Sequence, residues 1–173
     1  MTAGGIVVAV GPSPGLRVLI VEDEVLIALE LEDLLAEAGH VSVGIAATSA
    51  EAVRLGHDLK PDVALVDIHL ADGPTGIEVA RSLGAEAGTT VVFTTANDKR
   101  IPPDFAGAAG AIGKPYSERS VRSALNYFSD RRDGRIAASA PPPDGVVLSP
   151  RLRALSSAPI RPARARRPVR AAG

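Results

Sequence analysis

The sequence predicts an α/β fold in which one parallel sheet is covered by helices on both faces. The first observation is a set of four apolar, mostly β-branched runs, each ending in a carboxylate, a hydroxyl or an ammonium group. These runs are 19–24, 63–67, 91–96 and 112–115. Continuous apolar runs of this length are typical of strands buried on both faces, as in parallel sheets. The second observation is that segments with helical spacing alternate with the strands, which is the pattern of a doubly wound sheet.

The predicted elements follow one another in a regular order. A strand at 16–21 leads to a helix near 25–38. Leu31 and Leu35 share one face of that helix, and Gly39 is placed to end it. The remaining predicted strands are at 41–46, 62–67, 89–95 and 109–113. The remaining predicted helices run from a cap at Thr48 or Ser49 to about 58, from the loop at 71–76 to about 84, and over 117–130. At most a short helix is predicted from about residue 103 onward, because Pro102 and Pro103 break the helical pattern.

Composition excludes several classes of protein. The chain has 173 residues and no cysteine, which excludes a disulfide scaffold and cysteine-based zinc sites and is consistent with a cytoplasmic location. Residues 1–15 contain a short apolar run without a preceding basic region. That run is too short to span a bilayer, so we predict a flexible leader and no membrane segment.

Charge divides the chain into two parts. Residues 16–133 contain 11 basic and 19 acidic side chains, for a net charge of −8. Residues 134–173 contain eight arginines and one acid, Asp144, for a net charge of +7. Because the second part is also rich in Pro and Ala and lacks apolar periodicity, we predict a folded domain at 16–133 and a disordered tail at 134–173. Removing the tail is then expected to leave the domain folded.

Polar residues follow the predicted strands at the edge where parallel α/β sheets bind ligands. Glu22, Asp23 and Asp67 come from adjacent strands, and their carboxylates repel one another unless a cation is present. Mg²⁺ suits such a set of oxygen atoms. Lys114 and Thr95 add an ammonium and a hydroxyl that can contact a phosphoryl group, so the set predicts phosphoryl transfer to a carboxylate.

With these motifs, residues 16–130 resemble the receiver domain of bacterial two-component response regulators. The resemblance implies a flavodoxin-like sheet of five parallel strands in the order 2-1-3-4-5. It implies that Asp67 accepts a phosphoryl group, that Lys114 contacts that group and that Thr95 moves toward it. It further implies a cis bond before Pro115. The implied Mg²⁺ ligands are Asp23, Asp67 and the backbone carbonyl of His69, with Glu22 acting mostly through water.

The same resemblance implies a signalling module rather than an enzyme that turns over a substrate. A sensor histidine kinase is the implied donor, and the receiver would catalyse its own phosphorylation and dephosphorylation. No helix-turn-helix pattern follows residue 130, so we expect output through an unknown downstream protein rather than through a dedicated DNA-binding domain.

Three features depart from the common receiver pattern. Ala111 stands three residues before the lysine, where an aromatic switch residue is usual. Gly76 comes one residue later than usual in the loop after Asp67, and two prolines shorten the helix after Thr95. These features resemble a subset of stand-alone receivers that are paired with stress- and light-sensing kinases. We therefore expect switching to depend on Thr95 and the backbone after it.

Two alternative functions are open at this point. The first is an aspartate-nucleophile phosphatase of the haloacid dehalogenase-like type. That family requires a second Asp two residues after the nucleophile, where this chain has His69. The second is a regulator that binds nucleic acid through the basic tail, although the tail has no aromatic side chains for base stacking.

Overall fold

The computed structural model describes residues 15–157 except residues 87 and 138. Within these ranges the chain forms one sheet of six strands and five α-helices. The strands are β1 (Arg17–Val21), β2 (Val41–Ala46), β3 (Val63–Asp67), β4 (Thr90–Thr95), β5 (Gly110–Gly113) and β6 (Val146–Leu148). The helices are α1 (Val25–Glu37), α2 (Ser49–Leu59), α3 (Gly76–Glu86), α4 (Glu118–Arg132) and α5 (Pro150–Ser157).

The sheet has the order β2-β1-β3-β4-β5-β6. The first five strands are parallel to one another, so the predicted order 2-1-3-4-5 is confirmed. β1 and β3 pair so that Val21 lies beside Val66. This register brings Glu22, which follows Val21, and Asp67, which follows Val66, to the same edge of the sheet.

Helices cover both faces of the sheet, as predicted. On one face, α1 and α4 pack against the sheet through side chains that include Leu31, Leu35 and Leu125. On the other face, α2 and α3 pack through side chains that include Ala52 and Leu83. Every residue of β3 is buried, which explains why its sequence is apolar up to the terminal aspartate.

The segment between β4 and β5 contains two short 3₁₀ helices, Asp98–Arg100 and Phe105–Gly107, instead of an α-helix. Pro102 and Pro103 separate them. Proline lacks a backbone N–H and disfavours helical geometry in the preceding residue, so no continuous helix forms across the pair. The prediction of at most a short helix here is confirmed.

The prediction of a disordered tail from residue 134 is wrong for residues 146–157. β6 pairs with β5 in the antiparallel direction and forms the sixth strand of the sheet. Val146 and Leu148 are buried in the core, and the N–H of Ser149 donates to the carbonyl of Ala109. The pairing satisfies backbone groups of β5 that would otherwise lie at an open sheet edge. Removing the whole tail is therefore no longer expected to leave the domain unchanged.

The predicted leader at 1–15 lies outside the described residues except for Gly15, and the end of the predicted tail, 158–173, also lies outside them. None of the helices in the described part of the chain is long and apolar enough to cross a membrane.

Candidate functional site

The site lies at the carboxyl edge of the parallel strands. Glu22 and Asp23 directly follow β1, Asp67 is the last residue of β3, and Thr95 is the last residue of β4. Lys114 directly follows β5. The strands deliver these five side chains to one end of the sheet, which is where doubly wound sheets bind their ligands.

Lys114 joins two of the predicted carboxylates. Its Nζ lies 2.8 Å from Oε2 of Glu22 and 2.5 Å from Oδ2 of Asp67. The side chains of Lys114 and Asp67 are 15% and 13% exposed, whereas that of Glu22 is only 1% exposed. Charge-assisted hydrogen bonds of this kind are the strong ones in proteins, so the lysine fixes the positions of both carboxylates.

Backbone amides hold the other oxygens of the two acids. The N–H of His69 donates to Oδ1 of Asp67 at 3.2 Å, and the N–H of Glu24 donates to Oε1 of Glu22 at 3.3 Å. One carboxylate oxygen of Asp67 therefore accepts a hydrogen bond from Lys114, and the other accepts one from the loop that follows β3. The carboxylate is oriented before any ligand binds.

Burial and pairing shift the pKa values of the bridged groups. Burial raises the pKa of Glu22 above its usual value, and the hydrogen bond from Lys114 opposes this shift. Burial alone would lower the pKa of Lys114, but its hydrogen bonds to Asp67 and Glu22 outweigh burial and raise the pKa. Lys114 is therefore fully charged at neutral pH and is a permanent cation beside Asp67.

Asp23 is half-buried, and none of the described residues forms a hydrogen bond with its carboxylate. Among the described residues, no three acidic or histidine side chains already form a metal-binding group. The chemistry of the site nevertheless fits Mg²⁺, because Glu22, Asp23, Asp67 and the single ammonium of Lys114 have a net formal charge of −2. Carboxylate and carbonyl oxygens are the ligands that Mg²⁺ prefers. The structure does not place the His69 imidazole among these ligands, since that ring is exposed and contacts Arg100.

Thr95 is engaged with the loop rather than with Asp67. Its hydroxyl donates to the carbonyl of Asn97 at 3.1 Å and accepts from the N–H of Asn97 at 3.0 Å. Its carbonyl accepts from the N–H of Lys114 at 2.9 Å. Thr95 thus links the loop after β4 to the lysine that holds Asp67.

β5 and the residues that follow it show one expected feature and one contact that was not predicted. The bond between Lys114 and Pro115 is cis, as the resemblance implies. Ala111 is buried on β5 between Phe93 of β4 and Val147 of β6. A cavity of about 290 Å³ runs from Thr95 and Lys114 to β6. β6, which was not predicted from the sequence, therefore lies beside position 111, where an aromatic residue is usual in receivers.

Gly76 is required by a close approach of two chain segments. A Cβ atom at this position would overlap the carbonyl oxygen of Asp67 and lie 2.8 Å from the Cα of Ile68. The N–H of Gly76 also donates to the carbonyl of Ile68 at 3.1 Å. The glycine allows α3 to begin directly against the end of β3, which positions the loop beneath Asp67.

Two residues of the site were not predicted from the sequence. Arg100 and Asn97 border the same open cavity as Asp67, Thr95 and Lys114. Both lie in a stretch without apolar periodicity, on or beside a 3₁₀ helix, so no sequence pattern indicates that they face the site. His69 was predicted for its carbonyl, and its contact with Arg100 was not expected.

Comparison with known proteins places the chain among signalling proteins. Residues 18–126 match the profile of the response regulator receiver domain. The phyllosphere-induced regulator PhyR of Methylorubrum extorquens is 36% identical over 112 residues, covering 64% of this chain and 42% of that protein. The chemotaxis protein CheY of Thermotoga maritima is 31% identical over 119 residues, covering 66% of this chain and 98% of that protein.

Solved structures agree with the sequence comparison. The crystal structure of the response regulator PhyR from Brucella abortus has a TM-score of 0.61 and 31% identity, covering 70% of this chain and 51% of that chain. The match thus spans about half the length of the PhyR proteins. The profile match over residues 18–126 includes all the site residues described above, from Glu22 to Lys114. This chain belongs to the response regulator receiver domain family.

Proposed function

We propose that the protein accepts a phosphoryl group on Asp67 and passes on a signal by contact with another protein. The observation that carries this proposal is the Asp67 carboxylate, held at a strand end between the ammonium of Lys114 and the backbone N–H of His69. A carboxylate fixed in this way is an oriented nucleophile with a cation beside it. Positioning and charge compensation are the main contributions that proteins make to phosphoryl transfer.

The proposed step is an in-line displacement at phosphorus. An oxygen of Asp67 forms a bond to phosphorus while the bond from phosphorus to the donor breaks, and the donor keeps the electron pair. Lys114 then exchanges part of its contact with Asp67 for an oxygen of the transferred group. Dephosphorylation is a second displacement: an oxygen of water bonds to phosphorus while the bond from phosphorus to the Asp67 oxygen breaks. Asp67 leaves as a carboxylate, and the water's protons go to the released inorganic phosphate and to solvent.

Asp23, Asp67 and the carbonyl of His69 would hold Mg²⁺, and Glu22 would act through a water molecule. When bound, the ion offsets negative charge on the phosphoryl oxygens. The buried Glu22 keeps Lys114 in place during the exchange, because it anchors the ammonium from the side that is closed to solvent.

The proposed donor is a phosphohistidine of a sensor kinase, and the proposed setting is the cytoplasm. Output is proposed to run through contact with a protein partner. The described residues after α4 form an edge strand and a short helix. In this proposal the protein is a signalling domain, and each phosphoryl group that it receives produces one signal. It is not an enzyme that turns over a substrate. A haloacid dehalogenase-like phosphatase is not favoured, because the residue two after Asp67 is a histidine whose ring contacts Arg100.

The test is the intact mass of the full chain after incubation with acetyl phosphate, with and without Mg²⁺. We expect the wild type to gain one phosphoryl group only when Mg²⁺ is present. Asp67→Asn keeps the shape of the side chain but removes the nucleophile, so it should gain none. Asp58→Asn is the matched control, since Asp58 is exposed on α2 and paired only with Arg54. A full phosphoryl gain in Asp67→Asn would refute the assignment.

A further inference from the structure

Two cations line the cavity beside Asp67. The cavity is open, measures about 330 Å³ and is lined by Lys114 and Arg100 together with Asp67 and Thr95. Lys114 belongs to the predicted site, whereas Arg100 comes from the 3₁₀ helix Asp98–Arg100 after β4. The second cation has no part in the function described so far.

The charge of Arg100 is not balanced by a carboxylate. Its Nη1 contacts Nε2 of His69, and no carboxylate of the described residues forms a salt bridge with it. A guanidinium only donates hydrogen bonds, so Nε2 of His69 is the acceptor in this contact. By contrast, Arg54 and Arg81 each pair with an aspartate. The guanidinium of Arg100 is thus held at the cavity by an imidazole and not by a carboxylate.

Phosphorylation of Asp67 would add negative charge to this cavity. A carboxylate carries one negative charge, whereas an acyl phosphate dianion carries two. Lys114 already divides its ammonium between Glu22 and Asp67, which uses two of its three donors. The additional charge therefore appears in a cavity where, among the described residues that line it, Arg100 is the cation not paired with an acid. The planar guanidinium also matches two oxygens of a phosphoryl group at once.

We propose that Arg100 is a second phosphoryl-binding cation of the site, which leaves His69 and donates to the oxygens of the group on Asp67. This inference rests on the proposed function. Arg100 acts during transfer by stabilising the non-bridging oxygens while the bond from Asp67 to phosphorus forms and the bond to the donor breaks. It also retains the acyl phosphate once formed.

The experiment measures the initial rate of labelling by acetyl phosphate at limiting donor concentration, with Mg²⁺, in the full chain. A hydrogen bond between two charged groups contributes enough to predict a rate about 10-fold lower or more in Arg100→Ala. Arg100→Lys keeps the charge but loses the planar fork, so an intermediate rate is expected. Lys99→Ala is the matched control, because Lys99 is exposed in the same 3₁₀ helix and does not border the cavity.

A second measurement does not depend on turnover. Trifluoroberyllate mimics a phosphoryl group on a carboxylate, and the increase in melting temperature that it produces is expected to be smaller in Arg100→Ala than in Lys99→Ala. Melting without the ligand identifies any variant that fails to fold, and Arg100→Gln serves as a second variant. If the wild type is labelled and all Arg100 variants match Lys99→Ala in both measurements, the inference is overturned while the proposed function stands. If the wild type itself is not labelled at Asp67, the proposed function fails first.

Discussion

Lys114 shows how a single residue organises the site. It follows a short buried strand, and its ammonium lies between the carboxylates of Glu22 and Asp67. The two acids come from β1 and β3, which are adjacent, whereas the lysine comes from β5, two strands away from β3. One side chain therefore links three strands at the edge where ligands bind. This arrangement could be predicted because each residue ends an apolar run, and strand ends meet at one edge of a parallel sheet.

The raised pKa of Tyr116 predicts how the stability of the fold depends on pH. Burial raises its pKa to about 12, and its hydroxyl oxygen is buried. Because the folded pKa exceeds the unfolded value of about 10, the neutral phenol stabilises the fold below pH 10, and this stability is lost as pH rises through about 12. The loss is about 2–3 kcal/mol, at about 1.4 kcal/mol per pKa unit. Tyr116→Phe should therefore lose less stability over this range than the wild type.

Chemical denaturation at a series of pH values measures this effect. Tyr127→Phe is the control, since the Tyr127 hydroxyl donates to the carbonyl of Ala140 and accepts from Arg131. That variant should be less stable because it loses both hydrogen bonds, and it shows the effect of removing a tyrosine hydroxyl other than that of Tyr116. An unchanged alkaline loss in Tyr116→Phe would show that another group causes it.

The position of Arg100 at the cavity could not be predicted from the sequence. It lies in a stretch that has neither strand nor helix periodicity, and its position depends on how two 3₁₀ helices fold around Pro102 and Pro103. A sequence pattern reports which face of a regular element is buried. It does not report where an exposed loop residue points, so this part of the site required the structure.

At the scale of elements, α1 carries an exposed apolar patch beside the site. The patch consists of Val25, Leu26 and Leu29, which are 69%, 82% and 46% exposed. The opposite face of the helix packs on the sheet through Leu31 and Leu35. A patch of this kind on a surface next to the acceptor is suited to docking the donor protein.

Leu26→Asp should therefore slow transfer from a phosphorylated histidine kinase domain without changing the rate with acetyl phosphate. The small donor needs only the chemistry at Asp67, whereas the protein donor also needs the patch. Leu155→Asp is the control, since Leu155 is 51% exposed on α5 and borders a cavity with Thr90, at the end of β4 opposite the site. Equal slowing with both donors would mean that the substitution disturbs the site itself.

β6 was not predicted because its sequence offers almost no pattern. Three apolar residues after Pro141, Pro142 and Pro143 are too few to show an alternation. They form a strand because they pair with the edge of β5, and this contact between distant parts of the chain cannot be seen in the local sequence. The central residues of β1, β3 and β4, in contrast, form apolar runs because both faces of the sheet are covered there, and so these strands could be predicted from the sequence.

Leu148→Ala tests the contribution of β6 to stability. Leu148 is 4% exposed in the core, so truncation should lower the free energy of unfolding by about 2–5 kcal/mol. Val147→Ala, on the same strand, is the control: Val147 is 36% exposed, and we expect a change of about 0.5 kcal/mol or less. Urea unfolding of both variants measures the difference. Similar free energies for the two would mean that β6 does not pack as described.

At the scale of the whole molecule, the helices and the sheet place an acidic pair, an acceptor carboxylate and a lysine at one open edge. Residues 16–133 have a net charge of −8, and three of the eight arginines that follow, Arg135, Arg151 and Arg153, also lie in the described part of the chain. β6 extends the sheet next to Ala111 and reaches the cavity that contains Thr95 and Lys114. The charge pattern predicted a boundary at residue 133, but strand and helix continue through residue 157.

The central claim is that Asp67 is the residue that receives the phosphoryl group, and chemical mapping of that group tests it most directly. Borohydride reduces an acyl phosphate at its carbonyl carbon, releases phosphate and converts the aspartate to homoserine. After treatment with acetyl phosphate and Mg²⁺, reduction and proteolysis, peptide mass spectrometry should find homoserine at position 67 and nowhere else. Homoserine at Asp23 or another acid, with position 67 unmodified, would contradict the account.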